Sequence, residues 1–276
     1  MNTNYPLPSK HPLIQASLDA GVLTLTMGIG QAPAALDVPA IESLDQIMCQ
    51  LTQDTEVRVL VLRGRGRNFG QGLDIQAIEQ MHAEDPKRVQ HALTIVRHWG
   101  DGQLRCLPQP VLAIVQGQCA GAAITLVQGC DLALCDHDAQ FRFEERDARW
   151  LALKPSAQNR FDGLSARALN YHYLSGLPAN GQQAEHMGLV TFSHPADILE
   201  HEVSQLVASL CAKDSLALQF TKQTLVEVGS MSWDSAVNYT AAKFAEIKAR
   251  QAEGPSTRAT AIAGFLAGKN KPGLGG

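Results

Sequence analysis

Three stretches of this chain place small residues or carboxylates where a backbone turn could meet a ligand. The first is RGRGRNFGQGLDI, residues 63–75, directly after an apolar β-branched run. Gly70 and Gly72 let the backbone turn sharply and approach a ligand without a Cβ in the way, although a plain strand-to-helix turn uses the same residues. The second is QGQCAGAAIT, residues 116–125, in which small residues join a buried strand to an apolar helix start. A helix start offers N–H groups with no intrahelical acceptor and a partial positive charge, both suited to an oxyanion, and small-residue packing of helix on sheet is the alternative. The third is QFRFEERD, residues 140–147. Strand alternation puts Phe141, Phe143 and Glu145 on one face and Arg142 and Glu144 on the other. A carboxylate on an apolar face has its charged form disfavoured, which suits general acid/base work; a salt-bridged Glu on a strand edge is the alternative.

Other chemistries find little support. The nine histidines show neither HxH nor HExxH, so no metal site is expected. The six cysteines sit among apolar neighbours, Cys130 and Cys135 do not form CxxC, and buried free thiols of a reducing compartment are expected. No GxSxG elbow marks a serine hydrolase. The net charge of −4 and the lack of a basic stripe exclude a phosphate-tracking surface, so no nucleic-acid partner is expected. Arg63, Arg65 and Arg67 alternate with glycines and read as a solvated loop. Residues 1–11 are polar with no apolar core of signal-peptide length, and no apolar stretch is long enough to span a bilayer. A cytoplasmic protein with no membrane partner is expected.

The elements that must position these stretches follow from the hydrophobic pattern. Residues 21–27 alternate as a half-exposed strand, and residues 38–52 carry Ile41, Leu44, Ile47, Met48 and Leu51 at helical spacing. Residues 57–62 and 110–115 are short apolar runs typical of buried strands, with one long helix predicted between them over 85–107. Residues 131–135 and 139–143 read as two more short strands. From 165 to 268 the pattern is mainly helical, with breaks at 176–180, Gly229 and Gly254, a short strand-like piece at 189–192, and a helix over 233–252. Strands alternating with helices, followed by helices alone, imply an α/β layered core with an appended helical subdomain.

The order and spacing of the three stretches resemble the crotonase (enoyl-CoA hydratase/isomerase) superfamily over nearly the whole chain. NFGQGLDI resembles that family's first oxyanion signature, and GQCAGAAITLVQGCDLALC its Gly-x-x-x-Gly-Gly-Gly helix start followed by Cys-Asp and an apolar strand. AQFRFEE resembles the family's Ala-x-Phe-x-x-x-Glu, and SGLPANGQQAEHMGLV its Gly-x-x-x-x-Ala-x-x-Ala-x-x-x-Gly-Leu-Val segment. The resemblance implies an α/β crotonase fold of repeated ββα units. Residues 1–195 would form the core with the thioester site, and residues 196–276 a helical subdomain for oligomerisation and pocket closure.

The resemblance also implies roles. The backbone N–H groups of Leu73, after Gly72, and of Ala122, after Gly121, would hold a thioester oxygen as it becomes an enolate. The family's two acid/base positions fall on Thr125 and Glu145, so one carboxylate remains where simple hydratases hold two. A Glu-plus-hydroxyl pair is similar to the hydroxycinnamoyl-CoA hydratase-lyases, as are Trp233 followed by Tyr239, which would contact a phenolic substrate, and the ending KPGLGG. The second phenol-binding position of that subgroup holds Ile78. The basic residues usual in the 27–37 loop and after the Gly-x-Asp turn are missing, the latter position being Gln76. The family's Gly/Pro-rich loop after the Glu is replaced over residues 149–163.

The activity implied is that of an enoyl-CoA hydratase or isomerase. The alternatives are a hydratase-lyase, an enzyme working on acyl-carrier-protein-bound thioesters, and a non-catalytic thioester- or partner-binding homologue. No cofactor is implied beyond CoA or phosphopantetheine as part of the substrate. A homotrimer or hexamer is expected.

Overall fold

The structure, a computed structural model, describes residues 3–8, 10–28, 34–66, 68–143 and 164–252. It divides into two compact units, residues Met1–Ala212 and Lys213–Gly276.

The first unit is built on a sheet of seven strands. In chain order, the strands and helices that lead to the site are β1 (Thr3–Asn4), β2 (Ile14–Asp19), β3 (Val22–Met27), β4 (Ala35–Leu36), α1 (Val38–Leu51), β5 (Val59–Gly64), β6 (Gly72–Leu73), α2 (Ile75–Glu84) and α3 (Pro86–His98). A π-turn, Trp99–Gln103, and a short helix α4 (Leu104–Cys106) follow. Then come β7 (Val111–Val115), β8 (Gln118–Ala120), α5 (Ala122–Gly129), β9 (Leu132–Asp136), β10 (Gln140–Arg142), α6 (Ala166–Ser175), β11 (Ala179–Asn180), α7 (Gly181–Met187), β12 (Phe192–His194) and α8 (Leu199–Cys211).

The large sheet runs β1-β2-β3-β5-β7-β9-β12, antiparallel through the first hairpin and parallel from β3 onward. A second layer holds β11-β10-β8 and the pair β4-β6. The chain thus repeats a unit: a long strand in the sheet, a short strand in the second layer, then a helix, as in β5-β6-α2 and β7-β8-α5. This is the α/β crotonase architecture that the sequence implies.

The unbroken apolar runs of β5 and β7 are explained by burial on both faces. Leu60 and Leu62 face the main core, which takes in α1 through Ile41, Leu44, Ile47 and Leu51. Val59, Val61, Leu112, Ile114 and Leu134 face a second cluster closed by Leu199 and Val203 of α8. Helix α8, which sequence pattern alone groups with the helical half, therefore packs within the first unit. Helix α1 starts where Asp37 accepts the Ala40 N–H at 2.8 Å, with Pro39 in the first turn where its missing N–H costs nothing.

Three sequence expectations are corrected. The helix over 85–107 is interrupted: α3 ends at His98, and Trp-Gly-Asp-Gly-Gln forms a π-turn before α4. Gly100 and Gly102 weaken regular helix there, while the fully buried Trp99 keeps the segment in the core. The last strand runs Phe192–His194, not 189–192, because Leu189 and Val190 turn into the core after Gly188, which caps α7 in the left-handed conformation. Of the cysteines, Cys119 and Cys135 are buried, but Cys49 and Cys106 are exposed on the outer sides of α1 and α4.

The second unit holds α9 (Ser215–Val228) and α10 (Trp233–Ala252), which pack on each other. Asp214 caps α9 by accepting the Ala217 N–H at 2.8 Å.

Close packing of α5 makes one residue diagnostic. A Cβ on Gly129 would lie 2.1 Å from the Trp99 carbonyl oxygen. Gly129→Ala should therefore destabilise the first unit by about 1–3 kcal/mol, the usual range for overpacking. A urea melt checks this through a lowered midpoint at unchanged slope.

Candidate functional site

The first glycine-rich turn leaves β5 and is pinned on two sides by its backbone. Phe69 N–H and Gly70 N–H both donate to the Gln118 carbonyl, at 2.9 and 3.0 Å, and Ala120 N–H donates to the Gly70 carbonyl at 3.0 Å. On the other side Gln71 N–H donates to Ala34 at 2.8 Å and Asp74 N–H to Leu36 at 2.9 Å. Between these anchors Gly72, with φ of +90°, and Leu73 pair in parallel with Ala35 and Leu36 as β6. The Phe69 ring is fully buried and fixes the turn to the core. Asp74 then caps α2, accepting the Ala77 N–H at 3.0 Å.

The second turn follows β8. Gly121 has φ +51° and ψ −121°, a combination essentially closed to residues with a side chain. Its N–H donates to the Arg142 carbonyl at 3.0 Å, and Ala122 then opens α5. Every residue of α5 is buried, Thr125 among them at 7% exposure. Thr125 lies three residues on from Ala122 and so shares its side of the helix. The two turns touch directly: a Cβ on Gly70 would stand 3.1 Å from that of Ala123.

The third stretch joins them through β10, which runs parallel to β8 with Gln140 opposite Gln118 and Arg142 opposite Ala120. Phe141 and Phe143 point into the core while Arg142 is half-buried, as alternation requires. Phe143 stacks on His172, centroids 5.7 Å apart, and meets Tyr173 at 5.0 Å. His172 donates from Nδ1 to the Leu177 carbonyl, 2.9 Å, so it enters as a packed, oriented ring. Glu145, three residues beyond Arg142, lies outside the described residues, as do Glu144 and Arg67.

Gly72, Leu73, Gly121 and Ala122 thus sit at the two turns that the structure brings together, and Thr125 lies three residues further along α5. Tyr239 lies on α10 of the second unit, half-buried, with the Lys243 ammonium 5.7 Å from its ring centre. Of the arginine run, Arg63 is held by Glu200 of α8, so it belongs to the packing of α8 on the sheet and not to an open loop. No group of His, Cys, Asp and Glu among the described residues could hold a metal ion. The two buried thiols are poor nucleophiles. Burial raises Cys119 well above the usual thiol range and pushes Cys135 up to about 12.

One residue escapes sequence reasoning. Asp136, 6% exposed at the end of β9, has its carboxyl among the backbone N–H groups of Ala139, Asp138 and Gly117, between the turn before β8 and the turn before β10. Its Oδ1 is buried without a hydrogen-bond partner. In the sequence it stands in Asp-His-Asp, which looks like any exposed turn. Burial raises its carboxyl above the ordinary range; the Ala139 N–H opposes this and the Asp138 charge adds to it. The folded protein therefore holds this proton more tightly than the unfolded chain. The contribution is complete below the ordinary carboxylate pKa and is lost as pH rises through the raised value. Asp136→Asn should remove that loss. In urea melts between about pH 4 and pH 7, bracketing the carboxylate range, the variant should gain on the wild type as pH rises. A pH-independent difference would contradict the assignment.

Comparison with known proteins agrees with this layout. A hydroxycinnamoyl-CoA hydratase-lyase of Pseudomonas fluorescens is 25% identical over 266 residues, covering 95% of each chain. A peroxisomal Delta(3,5)-Delta(2,4)-dienoyl-CoA isomerase of Arabidopsis thaliana is 23% identical over 247 residues, covering 83% of this chain and 86% of its own. The solved structure of a putative enoyl-CoA hydratase from Streptomyces coelicolor A3(2) superposes with a TM-score of 0.83 at 22% identity, over 100% of this chain and 98% of that one. The family model described as enoyl-CoA hydratase/isomerase matches residues 17–257, and the chain belongs to that family, within the crotonase superfamily.

Proposed function

We propose that the protein acts on an enoyl or acyl thioester, holding the thioester oxygen with the N–H groups of Leu73 and Ala122 and moving protons with Glu145 alone. The observation that carries this reading is the backbone interlock of the two turns, Gly70 with Gln118 and Ala120, and Gly121 with Arg142. It holds Leu73 and Ala122 on adjoining segments, and Glu145 follows Arg142 by three residues in the sequence. Donors fixed in advance are worth more than mobile ones, because they need no reorganisation as charge develops on the oxygen.

One carboxylate suffices for isomerisation. Glu145 takes a proton from one carbon, the enolate forms against the two N–H groups, and the same Glu145 returns the proton two carbons away. In hydration Glu145 would take a proton from water as its oxygen adds to Cβ, then deliver that proton to Cα. The Thr125 hydroxyl, on the Ala122 side of α5, would position the water. A second reading, hydration followed by C–C cleavage of an aromatic thioester, is favoured by the Pseudomonas fluorescens relative and by Tyr239, which would hold a phenol. Ile78 stands against it: it is buried in the core and has no hydroxyl to share the task.

We also propose a homotrimer or hexamer working in the cytoplasm without a resident cofactor, CoA or phosphopantetheine entering only with the substrate. Supporting assembly, Trp233 is 81% exposed, and Val237 and Phe244 are exposed along the same helix. Among the described residues no helix is long and apolar enough to cross a membrane. Light scattering should give at least three times the chain mass.

Turnover of crotonyl-CoA and 3-enoyl-CoA, followed by mass spectrometry, tests the chemistry. Glu145→Gln should cost about 10²–10⁴-fold in kcat while thioester binding persists. Ala122→Pro removes one donor at a helix position where proline is tolerated, and should cost about 10²–10³-fold. Full activity in either variant would overturn the reading.

A further inference from the structure

The fold withdraws four of the six thiols in this chain. Cys119 and Cys135 are buried, the half-buried Cys130 thiol donates to the Leu126 carbonyl at 3.2 Å, and burial raises Cys211 above the usual thiol range. Cys49 of α1 and Cys106 of α4 remain, and both are exposed. Far apart in sequence, they lie on segments that run side by side. Gln103 Nε2 donates to the Asp45 carboxylate at 2.6 Å, and Gln109 Nε2 donates to the Leu51 and Asp54 carbonyls, both at 2.9 Å. These bonds tie the stretch from Gln103 to Gln109 along the second half of α1, with both segments running the same way.

Height and direction then bring the two cysteines together. From the Gln103–Asp45 bond, Cys106 lies three residues on and Cys49 four, rises of about 4.5 and 6 Å, so the two stand nearly level. At about 100° per residue, Cys49 is turned about 40° forward from Asp45 and Cys106 about 60° back from Gln103. On parallel helices that face each other, those turns carry both side chains to the same, outward side of the seam. Leu44, just before Asp45, and Leu104, just after Gln103, point the opposite way and are fully buried. With helix axes about 8–10 Å apart, Cα atoms so placed stand about 5–7 Å apart, the span that a disulfide bridges. We propose that Cys49 and Cys106 form a dithiol that a low-molecular-weight disulfide of the glutathione class oxidises to an intramolecular bridge. One cysteine loses its proton and attacks a sulfur of the reagent, giving a mixed disulfide and one released thiol. The other cysteine loses its proton and attacks the protein sulfur of that intermediate, closing the bridge and releasing the second thiol. The pair is oxidised by two electrons and the reagent reduced by two. The bridge staples α4 to α1 beside the π-turn that packs on α5. Reduced thiol in excess reverses it, so in a reducing compartment it is a transient redox mark and not a structural bond.

The probe is oxidised glutathione, added to the folded wild-type chain, to Cys49→Ser and to Cys106→Ser. Remaining thiols are then alkylated, and unreduced peptides are mapped by mass spectrometry. In the wild type the Cys49 and Cys106 peptides should be linked within one chain, exceeding any other disulfide at least about tenfold, as a high effective concentration requires. Dithiothreitol should restore both thiols. Each serine variant should stop at one mixed disulfide on the exposed cysteine that is left. The urea-unfolded wild type should lose the preference, because the fold makes the pair. Separate mixed disulfides on Cys49 and Cys106 of one chain, a bridge to another cysteine, a covalent dimer or no reaction overturns the proposal. An equal preference for this pair in the unfolded chain does so too.

Discussion

Two strands and two turns depend on a single carbonyl. The Gln118 oxygen receives the N–H of Phe69 and of Gly70, and Ala120 returns a bond to Gly70. Without that exchange, the turn after β5 and the turn after β8 would be ordinary loops at the ends of parallel strands, each free to drift. With it, the backbone around Leu73 and that around Ala122 form one rigid piece. Main-chain groups have no rotamers of their own, so the geometry of the two turns is inherited from this pairing and from the buried Phe69 beside it.

The rest of the first unit serves that piece. The large sheet, buried on both faces, fixes where β5 and β7 end. Helix α5 is buried along its whole length, held close to Trp99 by the absence of a side chain at Gly129, so its start cannot shift without disturbing the core. Strand β10 is fixed to β8 by its register, and buried Asp136 lies between the two connecting turns. Its carboxyl is costly to ionise in that buried position, and the neighbouring backbone N–H groups offset only part of the cost.

Much of this is legible in the residues themselves. The runs of β5 and β7 and the amphipathic pattern of α1 follow from periodicity, because there burial tracks the chain's own repeat. The extent of α10 follows from helical spacing, although Val237 and Phe244 on it are exposed. The small-residue stretches around Gly72 and Gly121 mark the turns, since glycine is needed at positive φ in both. What periodicity misses depends on tertiary pairing. Strands β4 and β6 have two residues each and exist only because they meet each other. The π-turn arises where helix, glycine pair and Trp99 must share space with α5. Asp136 is unreadable because a buried acid in a turn and an exposed one have the same local sequence. Helix α8 has an ordinary amphipathic pattern, and only the second face of the sheet explains its place.

The account rests on a thioester oxygen polarised by two fixed N–H groups before any proton moves. Isotope-edited infrared spectroscopy of a thioester labelled with ¹³C at its carbonyl, bound to the wild-type protein, reads this polarisation without requiring turnover. The account predicts that the carbonyl stretch moves to lower frequency on binding and moves back most of the way in Ala122→Pro. A bound carbonyl that absorbs where it does in water, in both proteins, would contradict it.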